Sequence, residues 1–389
     1  MVQPSPQRAV ESTRMFRHTI PVGRILGIPI ELDYSWFLIA LLVTWILAVD
    51  YYPTAFPKAG VGEYWLMGAA TAVLFFASLI IHELAHSWVA LRYRIRIHRI
   101  TLFIFGGVSQ IAGEPPSAPA EFLIAFAGPL TSVMLSAIFF LLQFGLARFP
   151  AALAVAKYLA MINLALATFN LVPGFPLDGG RILRAIIWGL NRDFRRATLI
   201  AASIGRGFGY LFIFLGVWQI FSGHAGNGLW IAFIGWFLES AAATQVQQQM
   251  VQGFLTGHRV AEAMSADCTR LPADASLQMV VDQEVFGHGK RCFLVEQDNR
   301  VVGLLTLHNL KAVPRGDWPT VTAQKAMTPL EKLETIGPDA ELWTALQHMG
   351  RDGINQLPVV SGDRVIGLLS RSDIAIYLHN LTELGARER

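Results

Sequence analysis

His82, Glu83 and His86 stand in the run Ile81-His-Glu-Leu-Ala-His-Ser87, and their types and spacing define a chemistry. On a helix, residues four apart share a face one turn apart, so both imidazoles can reach a single ion. Glu83, three residues before His86, falls on the neighbouring part of that face. There it can take a proton from a metal-activated water without itself being a ligand. A catalytic zinc takes three protein ligands and leaves a position open, so a third ligand must come from elsewhere in the chain. The same five-residue pattern also arises by chance in soluble helices. Here it lies inside an apolar run, where two histidines and a glutamate are costly to bury unless something pairs them.

The best third donor is Asp178, in Phe169-Asn-Leu-Val-Pro-Gly-Phe-Pro-Leu-Asp-Gly-Gly-Arg181. Prolines and glycines break the helix before it, and irregular backbone at membrane depth is tolerated where it is buried or lines a cavity. The alternative reading of Asp178 is an interfacial helix cap ahead of Gly179-Gly180. His18 and His98 lie in polar flanks and read as solvated, while His224 falls on the far side from the motif. Arg206 and Glu239, inside the last two apolar runs, either pair or snorkel to the interface.

The elements that must hold these residues follow from composition. Of 389 residues 53% are hydrophobic and 15% are charged, whereas a soluble domain carries about 25% charged residues. A net charge of +3, scattered along the chain, argues against a nucleic-acid partner. Cys268 and Cys292 have no CxxC neighbour and read as ordinary reduced residues. Six apolar runs occur at about 35–49, 64–91, 120–147, 151–172, 197–221 and 228–243, and most approach the ~20 residues that cross a bilayer. Tyr34, Trp36, Tyr51, Tyr64 and Trp230 near their ends suit an interfacial belt. Arg8, Arg14, Arg17 and Arg24 precede the first run. Arg92, Arg94, Arg96 and Arg99 follow the second, and Arg181, Arg184, Arg192, Arg195 and Arg196 follow the fourth. The opposite connections hold only Lys58, Arg148 and Lys157. Positive charge stays inside, so both termini of a multi-pass cell-membrane protein are expected in the cytoplasm.

Two segments on that inner side, 28–32 and 94–111, alternate like strands, with Gly106-Gly107 reading as a turn in the second. They form either a small sheet capping the helices or an edge that pairs with an extended substrate backbone. Residues 1–17 read as a polar, disordered lead and 18–250 as the membrane domain. Beyond it the chain repeats itself. Arg259-Val-Ala-Glu-Ala-Met264 is echoed by Thr322-Ala-Gln-Lys-Ala-Met327, and Arg300-Val-Val-Gly-Leu-Leu-Thr306 by Arg364-Val-Ile-Gly-Leu-Leu-Ser370. Two copies, over 254–315 and 316–389, imply a paired cytosolic α/β module whose halves bury each other's apolar faces.

Taken together, His82-Glu-Leu-Ala-His86, Phe105-Gly-Gly-Val108, Ala127-Gly-Pro129 and Asn170-x-x-Pro-x-x-Pro-x-Asp-Gly-Gly-Arg181 resemble the site-2 protease family of intramembrane zinc metalloproteases (peptidase family M50). The branch resembled is the one with a C-terminal pair of cystathionine-β-synthase (CBS) domains, and the resemblance covers nearly the whole chain. It implies a polytopic α-helical membrane protein, with six spans and small membrane-associated strands, plus a cytosolic tandem CBS module. It also implies zinc on His82, His86 and Asp178, with Glu83 as general base. Substrates would be membrane-embedded helices of regulators such as anti-sigma factors or precursor proteins. Asn170 would hydrogen-bond the substrate or the oxyanion, or else satisfy freed helix-end carbonyls, and Gly106 and Gly107 would bind the unwound substrate. CBS pairs often bind adenine nucleotides. Ser370 and Asp373 match the family's ribose-contacting pattern, while Thr306 is followed at the third position by Asn309 in place of the acid. The pair could equally be structural, or set a homodimer. Two rivals stay open: a membrane zinc protein acting on something other than polypeptide, and a CBS-gated transporter. The second requires a polar pathway, and the outward halves of the spans are almost wholly apolar.

Overall fold

The structure, a computed structural model, describes residues 19–384 except 58, 105, 112–113, 267–268, 291, 299, 352 and 363. The lead over 1–17, His18, Lys58, Phe105 and Cys268 lie outside the described residues. Two strands, β1 (Thr19–Ile25) and β2 (Ile28–Asp33), turn back on each other through Gly27 at positive φ. Asp33 then starts a helix by accepting the Ser35 N–H at 2.9 Å, satisfying one of the orphan donors of the first turn.

That helix is α1 (Tyr34–Ala55), followed by α2 (Val61–Arg92). Strands β3 (Ile97–Phe103) and β4 (Gly106–Ile111) come next, then α3 (Ala118–Gly145) and α4 (Pro150–Asn170). A shorter helix, α5 (Asp178–Asn191), precedes α6 (Phe194–Phe221) and α7 (Ala225–Leu255). All but α5 are long and apolar enough to cross a membrane, six among the described residues. The first and last reach further than the apolar runs alone indicated, because their ends continue as helix through polar flanks. Only 11% of the most apolar stretch of α1 is buried, against 39% for α2. The histidine-bearing helix is therefore the enclosed one, and large side chains such as Phe140, Phe144, Phe214 and Phe221 are left on the outside, as lipid contact requires.

The strands form one sheet in the order β1-β2-β3-β4, with β2 and β3 parallel and the other pairs antiparallel. β4 is an edge strand. Gly106 and Gly107 do not sit in the turn as their type suggested: they open β4, paired with Phe103 and Leu102. Two further elements escaped the sequence reading. β1 carries a proline and a glycine and is exposed along most of its length, so it has no alternation to reveal it. The loop after α4 passes directly into α5, a helix whose start the sequence marked only as a break or as a cap at Asp178.

Residues 250–389 form a second compact unit. Its first sheet has the order β5 (Arg270–Pro272), β6 (Cys292–Gln297), β7 (Arg300–Thr306), β8 (Thr328–Pro329); its second pairs β9 (Gln356–Ser361) with β10 (Arg364–Ser370). Two cores lie against these sheets. One gathers Leu277, Phe293, Val295 and Leu305 together with Ala323 from the second repeat. The other gathers Leu342, Met349, Leu357 and Leu369 together with Leu255 and Val260 from the start of the first. The repeats thus exchange their leading segments, each completing the other's core. Cys292 sits partly buried beside Leu294 and Leu304.

Candidate metal centre

The HExxH turn of α2 packs against one face of α3. His86 donates its Nδ1 proton to the Ile124 carbonyl at 2.7 Å, and His82 Nδ1 lies 2.8 Å from Ser132 Oγ. Residues 124, 128 and 132 are spaced four apart, so they share the face of α3 that meets the histidines. Gly128 stands between the two contacts. A Cβ there would come within 2.2 Å of His86 Nε2 and 2.6 Å of His82 Nε2, so only glycine lets the helices close this far.

Both Nε2 atoms are thereby turned to one point, 3.2 Å from each other. Asp178 Oδ2 completes the cluster at 3.2 Å from His82 Nε2 and 3.1 Å from His86 Nε2. Asp178 opens α5, where a carboxylate in the first turn complements the helix dipole. Its position depends on glycines. A Cβ on Gly179 would meet the Val172 carbonyl oxygen at 2.3 Å, and one on Gly180 would meet the Gly174 carbonyl carbon at 2.4 Å. The preceding loop is held in turn by the Phe175 N–H, which donates to the Ala201 carbonyl of α6 at 3.3 Å.

The cluster fits a metal. With its Nδ1 proton committed to a carbonyl, neutral His86 points a lone pair into the cluster, where the Asp178 carboxylate and the second imidazole also converge. Three donors facing one point repel unless a cation lies between them, and two imidazoles with one carboxylate form a zinc set with room for water. No other group of three such donors occurs among the described residues.

Glu83 lies beside this cluster under β4. A Cβ on Gly107 would fall 2.6 Å from Glu83 Cγ, so the edge strand passes over the carboxyl at a separation only glycine permits. Gly106, with φ +132°, takes a backbone shape that side chains avoid. Asn170 is the last residue of α4 and is partly exposed. Arg206 and Glu239 do pair, at 3.1 Å, with the Tyr210 hydroxyl bridging them.

Several supporting residues were not legible beforehand: Ser132, the Ile124 carbonyl, and a buried ion pair. Arg184 of α5 donates through Nε to Glu121 of α3 at 2.7 Å, and through a second nitrogen to the same oxygen. It also donates to Thr198 of α6 at 3.3 Å and lies between the rings of Phe175 and Phe194. Polar residues within apolar runs were the available signal, but nothing in the sequence paired them across helices. In the C-terminal unit, Ser370 caps the helix Arg371–Glu383 and donates its hydroxyl proton to Asp373 at 2.6 Å. Thr306 does the same to Asn309, whose amide also donates to Thr328 at 3.1 Å.

These features define a polytopic membrane metallopeptidase with a C-terminal α/β module. The Peptidase family M50 pattern matches residues 70–154 and 146–214, and the CBS domain pattern matches 324–380. Rip3 of Mycobacterium tuberculosis is 38% identical over 364 residues, 92% of each chain. The protein sll0528 of Synechocystis is 34% identical over 93% of this chain and 96% of its own. MJ0392 of Methanocaldococcus jannaschii is 25% identical over 92% and 95% respectively. All three bear zinc metalloprotease names. The chain belongs to peptidase family M50.

Proposed function

We propose that this protein hydrolyses peptide bonds of membrane-embedded polypeptides at a zinc held by His82, His86 and Asp178. The observation that carries this reading is the convergence of two histidine Nε2 atoms and one carboxylate oxygen on a single point, with Gly128 keeping that point clear. Zinc held there supplies Lewis acidity, acidifying a water and polarising the scissile carbonyl. The rest falls to the chain. Glu83 takes the proton of the attacking water and delivers it to the leaving amine, which balances the hydrolysis. Ser132 and the Ile124 carbonyl fix both imidazole orientations. Asn170 donates its amide protons to the substrate carbonyl near the oxyanion position.

A peptide bond within a helix is shielded by its own hydrogen bonds, so the substrate must unwind locally. The free edge of β4 at Gly106 and Gly107 receives the unwound backbone as an added strand, directly above Glu83. Substrates are of the kind carried by anti-sigma factors or membrane-bound precursors. The basic loops support a reading with both termini in the cytoplasm, the peptidase over 18–250 and the CBS repeats over 254–315 and 316–389. An adenine nucleotide on Ser370, Asp373 and Thr306 modulates access to the site, and the CBS module supports a homodimer.

The test is zinc per chain and cleavage of a tagged single-span reporter by detergent-purified protein. Wild type and Glu83→Gln should hold about one zinc, and Asp178→Ala should lose it; only wild type should cut. Folded wild type that takes up no zinc on addition would overturn the reading. AMP that changes neither cleavage rate nor thermal unfolding of the C-terminal unit would remove the regulatory part.

A further inference from the structure

Hydroxyl groups in the spanning helices mostly bond within their own helix. Thr44, Thr71, Ser78, Thr131, Thr168 and Thr244 each donate to the carbonyl four residues back, the cheapest way to satisfy a hydroxyl in an apolar setting. Ser87 does not. It is fully buried, directly after His86, and its hydroxyl crosses to Ser109 of β4 at 2.9 Å. Ser132, which also leaves its helix, does so to hold a site histidine.

Ser109 lies two residues beyond Gly107, so both face the same side of β4. They pair with Ile100 and Leu102, whose side chains are buried on that side. Ser87 lies four residues beyond Glu83, on the same face of α2. Two strand residues span about 6.6 Å and four helix residues about 6 Å. The strand therefore meets the helix at two matched points: Gly107 over Glu83 and Ser109 over Ser87. The first is close approach without attraction. The second is a hydrogen bond, and it fixes where along the helix the first contact falls.

We infer that the Ser87–Ser109 hydrogen bond pins the edge strand, paired with β3, at one level along α2, and so selects which substrate bond meets Glu83. Both serines are positioning residues, since neither reaches the metal point. The inference rests on the reading of β4 as the substrate-pairing edge. Without the pin, β4 and the β3 strand it pairs with can tilt together about Gly107 while the metal point and Glu83 stay in place. A substrate strand laid on that edge then presents the wanted carbonyl off line. Bonds two residues away present the same face and are cut in its place.

The experiment uses the full chain and the tagged single-span reporter, with products mapped by mass spectrometry and zinc measured in each variant. Ser109→Val and Ser109→Thr are compared, because they match in shape and both suit a strand, but only threonine keeps the hydroxyl. Zinc-replete Ser109→Val should cut the wild-type bond about tenfold more slowly, as a sub-ångström misplacement does. It should also release products cut two residues to either side. Ser109→Thr should keep the wild-type product. Adding Ser87→Ala to Ser109→Val should cost nothing further, since one bond is already lost. Val108→Pro separates the two ideas. If Val108→Pro abolishes cleavage while Ser109→Val retains wild-type rate and a single product, the pin is wrong and the edge reading stands. If neither variant changes cleavage, both fall.

Discussion

The membrane unit and the C-terminal unit spend their buried space in opposite ways. Among the described residues, every buried polar or charged side chain lies between Thr71 and Thr198, including His82, His86, Ser87, Glu121, Ser132, Asn163 and Arg184. The buried side chains of residues 250–389 are all apolar. A domain in water turns its polar groups outward and keeps a dry interior. A domain in lipid has no such outlet, so polar groups that survive face inward and must be partnered. The partners are informative. In the membrane unit the partners of His82, His86, Ser87, Glu121, Ser132, Arg184 and Thr198 lie at the metal point, on the strand above it, or on and around the helix that carries Asp178. Thr71, Ser78, Ser136 and Asn163 instead tie helices to themselves and to their neighbours.

The contrast breaks most directly at Gly128. Alanine there favours the helix by about 1 kcal/mol, yet its methyl would displace both site imidazoles. Gly128→Ala should stay folded, lose zinc, and cleave the reporter at least about 100-fold more slowly. Normal zinc content in this variant would show that the helices are not as close as the site requires. Glu121→Gln strands the Arg184 charge inside the bundle and should cost about 3–5 kcal/mol. Because α5 also carries Asp178, zinc affinity should fall alongside thermal stability; a stability loss with unchanged zinc affinity would reduce the pair to a brace. In the other unit, Phe293→Ala should cost about 3–5 kcal/mol through an apolar cavity and lower only the unfolding transition of residues 250–389, with zinc untouched.

The smallest effect concerns an exposed cluster. Glu262 accepts from the Tyr377 hydroxyl at 2.6 Å, from the Arg259 N–H, and from His258, and these bonds hold its carboxyl down to about 2. A carboxyl lowered on folding stabilises above its ordinary range, near 4.3, and that contribution disappears as pH falls toward 2. Its exposure limits the gain to below about 1 kcal/mol. Glu262→Gln should flatten the decline in melting temperature of the C-terminal unit over that window and leave reporter cleavage at neutral pH unchanged.

How much was legible beforehand follows the same division. The HExxH turn, the six spans and the duplicated C-terminal module rest on periodicity, charge and repetition, which a single chain displays openly. The partnership of Asp178 with the histidines could be ranked but not located. The reason is that Gly179 and Gly180, which allow its helix to start against Val172 and Gly174, act only through contacts between distant segments. Gly106-Gly107 misled for a related cause. Glycine signals a turn by its freedom, but here Gly107 is demanded by the lack of a side chain above Glu83, while Gly106 uses its freedom as the strand's opening residue. Ser132, Ser109 and the Glu121–Arg184 pair were invisible as pairs, since nothing in linear order says which helix face a polar residue will meet.

The exchange of leading segments in the C-terminal unit carries a consequence in time. As the chain emerges from the ribosome, Leu255 and Val260 appear first, but the core they complete needs Leu342 through Leu369. The core of the first repeat in turn waits for Ala323. Neither repeat can finish alone on the order of synthesis. For roughly 100 residues of translation, at about 5–20 residues per second, a finished membrane segment trails an unfinished, sticky tail. Closure then arrives in two steps, the first core once Ala323 is out and the second only after Leu369. A chain cut short by a premature stop anywhere before the last helix would leave apolar surface exposed, a mark by which quality control can find it.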